Sequence, residues 1–297
     1  MRYWAVVTDT WRESWARKTS LVLSVLVLLI VAFYGAGLQL SPSEATPGEV
    51  YVTFFSSPPD PNSDEGLRMP TFSLDVIATI SAVSTLGMLS PWGIFLGLFI
   101  AATLFVPTFR PQRLYWVLSK PLSRVGLMLS KYVGALVLVL LTSMVFIGLM
   151  TLLIGLKTDI YITGLLTGGL IVVFIYAIYA SVAMLMAIWT RNTAMSLISV
   201  ILLHIVSSVL YLGKNSDNMF GFIPEFGQVF IDIFYMILPK TSDLETLATQ
   251  LIAGDLAAFS ADIPNFTVDV PLAFGTSGTF LIVMLALSAW EFHRRDY

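Results

Sequence analysis

The segment "FRPQRLYWVLSKPLSRVGLMLSK" places five cations, Arg110, Arg113, Lys120, Arg124 and Lys131, without an acid among them, between two of the most apolar runs in the chain. Such a segment can bind a partner but has no bond-breaking chemistry of its own. Pro111 suits the first turn of a helix, and Pro121 ends or kinks it. Between them Leu114, Val117 and Leu118 form an apolar stripe. The spacing predicts a short amphipathic helix backed by a rigid turn, a shape that inserts into a partner's groove.

Elsewhere the inventory is sparse. There are no cysteines, which excludes disulfides, thiolate metal sites and cysteine nucleophiles. Neither a HExxH pair nor a G-x-x-x-x-G-K-[ST] loop occurs, so the chain has no means of cradling nucleotide phosphates. His204, in "LLHIVSS", is the only imidazole inside an apolar run. It reads more simply as a histidine hydrogen-bonded to a neighbouring helix than as a proton relay. Asp60, Asp64 and Glu65 lack the pattern of a calcium loop and read as solvated.

The elements that hold these residues follow from composition. Of 297 residues 57% are hydrophobic and 12% charged, against about 25% charged in soluble domains. A membrane-crossing helix needs about 20 mostly apolar residues. Six stretches free of Asp, Glu, Lys and Arg meet that length: Thr19–Ser43, Val76–Phe109, Tyr132–Leu156, Ile160–Thr190, Asn192–Gly213 and Val270–Trp290. The spans are placed at about 20–40, 76–106, 130–156, 160–189, 193–213 and 270–290. Pro91 and Gly93 can break the second. The first is longer than a signal-peptide core, so it is read as a retained helix.

Of the 16 basic residues, 12 fall on one side of this layout and 15 of the 19 acids on the other. Retention of Lys and Arg therefore predicts cytoplasmic termini. The external segments are then 41–75 and 214–269. "SSPPDPNSDEG" marks irregular structure in the first. "FIDIFYMIL" and "LETLATQLIAGDLAAF" predict short helices in the second, lying on the membrane or capping the bundle, with Leu244, Leu247, Leu251 and Leu256 at helical spacing. Gly93–Gly97 and Gly164–Gly168 have the spacing that lets helices approach closely.

Residues 1–18 carry Trp4, Val7, Trp11 and Trp15 on one helical face, the pattern of a helix lying in the membrane interface. It serves either as an elbow transmitting motion to the first span or as a passive anchor. The expected fold is an all-α polytopic membrane protein: an interfacial helix over 1–18, then a six-helix domain over 19–297, with a cytoplasmic segment 107–131. The net charge of −3 gives no sign of a nucleic-acid partner.

"VLSKPLSRVGLMLSKYVGALVLVLL" resembles the segment after the second helix in permease subunits of the ABC-2 exporter family, where "llskPisR…lgKyl" is common. The closing "SAWEFHRRDY" resembles that family's ending, an aromatic followed by paired arginines and an acid. The chain departs from the family in lacking the glutamate upstream of the motif. The resemblance implies a permease paired in the inner membrane with a second copy or a homologous permease. A separate P-loop ATPase would bind ATP and Mg, and this chain would bind no cofactor. It also implies a coupling role for Lys120, Pro121, Ser123, Arg124 and Lys131. The reading from another class is a membrane scaffold that binds an envelope partner through its external segments.

Overall fold

A computed structural model describes residues 2–16, 18–42, 48–56, 71–89, 94–109, 123–215, 225–253 and 268–295. They form α1 (Arg2–Ala16), α2 (Thr19–Gly37), α3 (Leu74–Met88), α4 (Ile94–Thr108), α5 (Arg124–Thr158), α6 (Gly164–Thr190), α7 (Thr193–Asn215), α8 (Glu225–Ile237), α9 (Thr241–Ala253) and α10 (Val270–Arg294). Five of these, α2, α5, α6, α7 and α10, are long and apolar enough to cross a membrane.

The stretch predicted as the second span holds two helices of 15 residues each, α3 and α4. At 1.5 Å per residue neither reaches the roughly 30 Å of a bilayer core. The described residues are predominantly helical, as expected of an all-α membrane protein, with one small addition. Part of segment 41–75 is ordered as an antiparallel sheet of β1 (Leu38–Pro42), β2 (Glu49–Phe54) and β3 (Thr71–Ser73), in that spatial order. Its register pairs Leu38 with Phe54 and Glu49 with Ser73. Alternation in "EVYVTF" buries Tyr51 and Thr53, a period-two signal too short to stand out beside the adjoining prolines. Most of "SSPPDPNSDEG" lies outside the described residues.

The bundle is built around α6. Its sequence is apolar on every side, and a helix of that kind belongs in a core. Tyr176, Tyr179, Ile175, Ile178 and Ala183 are all buried, and α4, α5, α7, α9 and α10 pack around it. Left-handed residues close several helix ends where glycine is usual. Asp159 (φ 59°) caps α5, Arg191 (φ 53°) caps α6, and Lys18 (φ 58°) joins α1 to α2.

The small residues of α6 determine how α9 meets it. A Cβ on Gly164 would stand 2.9 Å from the carbonyl oxygen of Leu251, and one on Gly168 would stand 3.2 Å from that of Ala248. The Gly164–Gly168 pair therefore admits the backbone of α9. Its companion Gly93 lies outside the described residues. The buried face of α9 is Leu244, Ala248 and Ile252, while Leu251 is exposed; Leu256 lies outside the described residues. Replacing Gly164 by valine is expected to lower stability by about 1–3 kcal/mol, read as a fall in the thermal midpoint of the detergent-solubilised protein. Gly278→Ala, in open space on α10, should leave that midpoint nearly unchanged.

Candidate functional site

Of the residues singled out in the basic segment, Arg110, Arg113, Leu114, Leu118, Lys120 and Pro121 lie outside the described residues. Ser123, Arg124 and Lys131 are placed, and all three belong to the first turns of α5, which starts well before the predicted span. The Ser123 hydroxyl accepts a hydrogen bond from the Gly126 amide at 3.1 Å, capping the helix.

One helical position later, Arg124 donates from Nη1 to the carbonyl of Arg295 at 2.7 Å. Arg295 in turn donates from Nη1 to the carbonyl of Ile188 at 3.0 Å and from Nε to Glu291 at 2.7 Å. The last carbonyls of a helix have no partner within it and carry partial negative charge. Arg295 supplies a donor to the end of α6, and Arg124 does the same for the end of α10. Beside them Phe292, fully buried, meets Phe109 at 5.2 Å, edge to face. Thus the start of α5 and the end of α10 meet at one end of the bundle.

Lys131 works differently. Its ammonium is buried, with 5% of the residue exposed, and lies 3.1 Å from Glu13 and 3.6 Å from Asp9 on α1. Next to it Gly134 admits α1, since a Cβ there would meet Thr10 at 2.9 Å. Val6, Thr10 and Ser14, four residues apart, are buried. Trp4, Trp11 and Trp15 are exposed on another side. The α1 helix therefore has three faces: one buried against α5, one acidic and paired with Lys131, and one aromatic and open.

The other polar cluster was not expected. Lys240 and Asp243 were assigned to an external segment, yet they are 4% and 6% exposed and sit inside the bundle. The Tyr179 hydroxyl, which donates to Thr241 Oγ1 at 2.9 Å, is 15 residues from the start of α6, or about 22 Å by the helical rise. At its other end α9 reaches Gly164. So α9 runs antiparallel to α6, and the turn from α8 into α9 lies near the middle of α6 rather than on its cap.

Backbone that leaves the helical pattern at such depth needs partners from the protein. Serines provide them: Ser207 donates to the Pro239 carbonyl at 2.9 Å, and the Lys240 amide donates to Ser277 Oγ at 3.0 Å. The network continues through Thr241 to Ser207 at 2.9 Å, and from Tyr179 to His204 Nδ1 at 2.8 Å. His204 is thus hydrogen-bonded to a neighbouring helix, the simpler of the two readings. The Tyr235 hydroxyl donates to the Asp243 carboxylate, 2.8 and 2.9 Å from its oxygens, while the Lys240 ammonium lies 4.0 Å from the centre of the Tyr235 ring. Tyr235 thus stands between the two charges and contacts both.

A signal for this hairpin exists in the sequence. Two apolar segments, each too short to cross a bilayer, flank "PKTSD", a proline followed by helix-starting side chains; runs of 10–14 residues are the length of re-entrant segments. Among the described residues no group of three or more His, Asp or Glu could hold a metal ion. No family model matches the chain, and no curated protein matches it.

Two outcomes test these clusters. Removing the carboxylate that accepts the Tyr235 hydrogen bond leaves a part-buried hydroxyl unpaired at a cost of about 1–3 kcal/mol, so Asp243→Ala should lower the thermal midpoint. The Lys240→Met/Asp243→Asn double variant should recover most of that loss. For the α1 clamp, a cycle of Lys131→Ala and Glu13→Ala should give a coupling energy of about 2 kcal/mol, and Lys131→Ala should be cut faster by trypsin after the exposed Lys18.

Proposed function

We propose that this chain is the membrane-spanning permease subunit of an ABC-type exporter, driven by a separate cytoplasmic P-loop ATPase and paired with a second permease. It crosses the inner membrane six times, with α3 and α4 together making the second crossing and both termini in the cytoplasm. The observation that carries the reading is the tie from Arg124 to Arg295 and on to Ile188, because it joins the two segments that resemble the family at one end of the bundle. Several of the chain's cations lie on the helix ends joined there: Arg124, Lys131, Arg191, Arg294 and Arg295. Asp159 and Asp269 lie at helix ends toward the other side, as retention of basic residues in the cytoplasm requires.

The geometry gives the coupling a mechanical basis. An ATPase that engages 110–122 pushes on the capped start of α5. The first two turns of α5 hold α10 through Arg124 and α1 through Lys131. A displacement there is shared by three helices at once, and α5, about 52 Å long at 1.5 Å per residue, carries it to the far end of the bundle. This chain contributes the lever; nucleotide chemistry belongs to the partner.

The test is a mild-detergent pull-down of the tagged chain from its native host, with the copurifying proteins identified by mass spectrometry. The wild-type chain should bring down a P-loop ATPase, and Lys120→Glu and Arg124→Glu should lose it while eluting as folded protein. Recovery of envelope proteins with no ATPase from any sample would replace the exporter with a scaffold.

A further inference from the structure

Between α2, the end of α3 and the middle of α5 lies a groove of about 800 Å³. One wall is α2 from Leu23 to Ala36, and the other is Val139, Thr142, Ser143 and Phe146 of α5. It exists because Ala32, Ala36 and Ser143 stand where larger side chains would fill it. The Thr142 hydroxyl is turned back onto the carbonyl of Leu138 at 2.9 Å, leaving a lining that is almost entirely carbon.

An apolar hollow of this size has nothing to offer water, and left empty it would forfeit the dispersion contacts of its whole lining. Since both walls are membrane-crossing helices, the medium that fills it is hydrocarbon. From Leu23 to Ala36 the groove is about 20 Å long by the helical rise. Its mean section is therefore about 40 Å². A hollow this long and apolar accepts alkyl chains laid along it. The length exceeds the about 15 Å of one leaflet's hydrocarbon, enough for long acyl chains laid straight.

Both ends of the groove fit a lipid. Just below Leu23 the exposed Lys18 and Trp15 stand at the junction of α1 and α2, a cation and an amphipathic ring of the kind found at headgroup level. At the opposite end Phe55 closes the groove. It is held at φ 57°, a conformation that bulky residues rarely adopt, and its ring lies 4.8 Å from Phe33 and 5.2 Å from Phe54. Strained residues of this sort collect at ligand clamps.

We infer that this groove is a binding site for one anionic diacyl phospholipid of the surrounding bilayer, its acyl chains along α2 and its phosphate at Lys18. The inference is independent of the exporter reading, because it rests on the groove and the residues at its two ends.

To test it, the full chain is reconstituted in vesicles of phosphatidylethanolamine and phosphatidylglycerol, with a trace of phosphatidylglycerol carrying a photoactivatable diazirine midway along one acyl chain. Labelled peptides are then mapped by mass spectrometry. Labelling of 23–36 and 139–146 should exceed severalfold that of α7, whose Ile198, Leu202, Ile205 and Val209 are also exposed. Ala32→Phe, which fills the groove, should bring it down to the α7 level, whereas Ile205→Phe should not change it. Lys18→Glu should weaken labelling by the anionic probe more than by a phosphatidylcholine analogue. Equal labelling of α2 and α7, or labelling unchanged by Ala32→Phe, overturns the proposal. So does a groove without label in which Ala32→Cys, in a chain with no other cysteine, forms a disulfide between two copies.

Discussion

A peptide group inside a membrane must find its hydrogen bonds within the protein. Long helices meet that demand without help, and where the described backbone turns inside the bundle, at Leu238–Pro239–Lys240, neighbouring helices supply the partners. Ser207 of α7 and Ser277 of α10 reach the turn from two sides, while Thr241 joins it to Tyr179 of the central helix. That requirement fixes the relative depth of α6, α7 and α10. It also explains why serines, of little use on a lipid-facing surface, are buried at these positions.

Two buried lysines show how differently the bundle uses charge. Lys131 joins elements that are distant in sequence: its ammonium lies between two carboxylates of α1, and its neighbour Gly134 brings the helices into contact. Lys240 stays within one hairpin, sharing Tyr235 with Asp243. The first works as a clamp between helices. The second sets the geometry of a turn, and each depends on counter-charges that burial alone could not supply.

The long helices were legible because about 20 apolar residues without charge have few other uses, and the aromatic face of α1 because three tryptophans at helical spacing are hard to misread. The second face of α1 was not legible. Val6, Thr10 and Ser14 are too small and mixed in polarity to form an apolar stripe, and only Gly134 on another helix gives them meaning. Lys240 and Asp243 misled for a related reason: counting charges assigns an ionisable residue to water, whereas their burial follows from Tyr235 and from Gly164 and Gly168 admitting α9. The arginines at the two ends of the resemblance were visible as motifs. That they touch could be known only from the fold, since 171 residues separate Arg124 from Arg295.

The clamp on α1 also bears on how the protein is made. Helix α1 leaves the ribosome before α5, and Lys131 and Gly134, which hold it, follow more than a hundred residues later. Until then its two acids lack the Lys131 ammonium and its small-residue face has no neighbour. Its three exposed tryptophans stay clear of that contact and are available before and after it forms. The packing of α1 is therefore a late contact, one that can form only once α5 has been made.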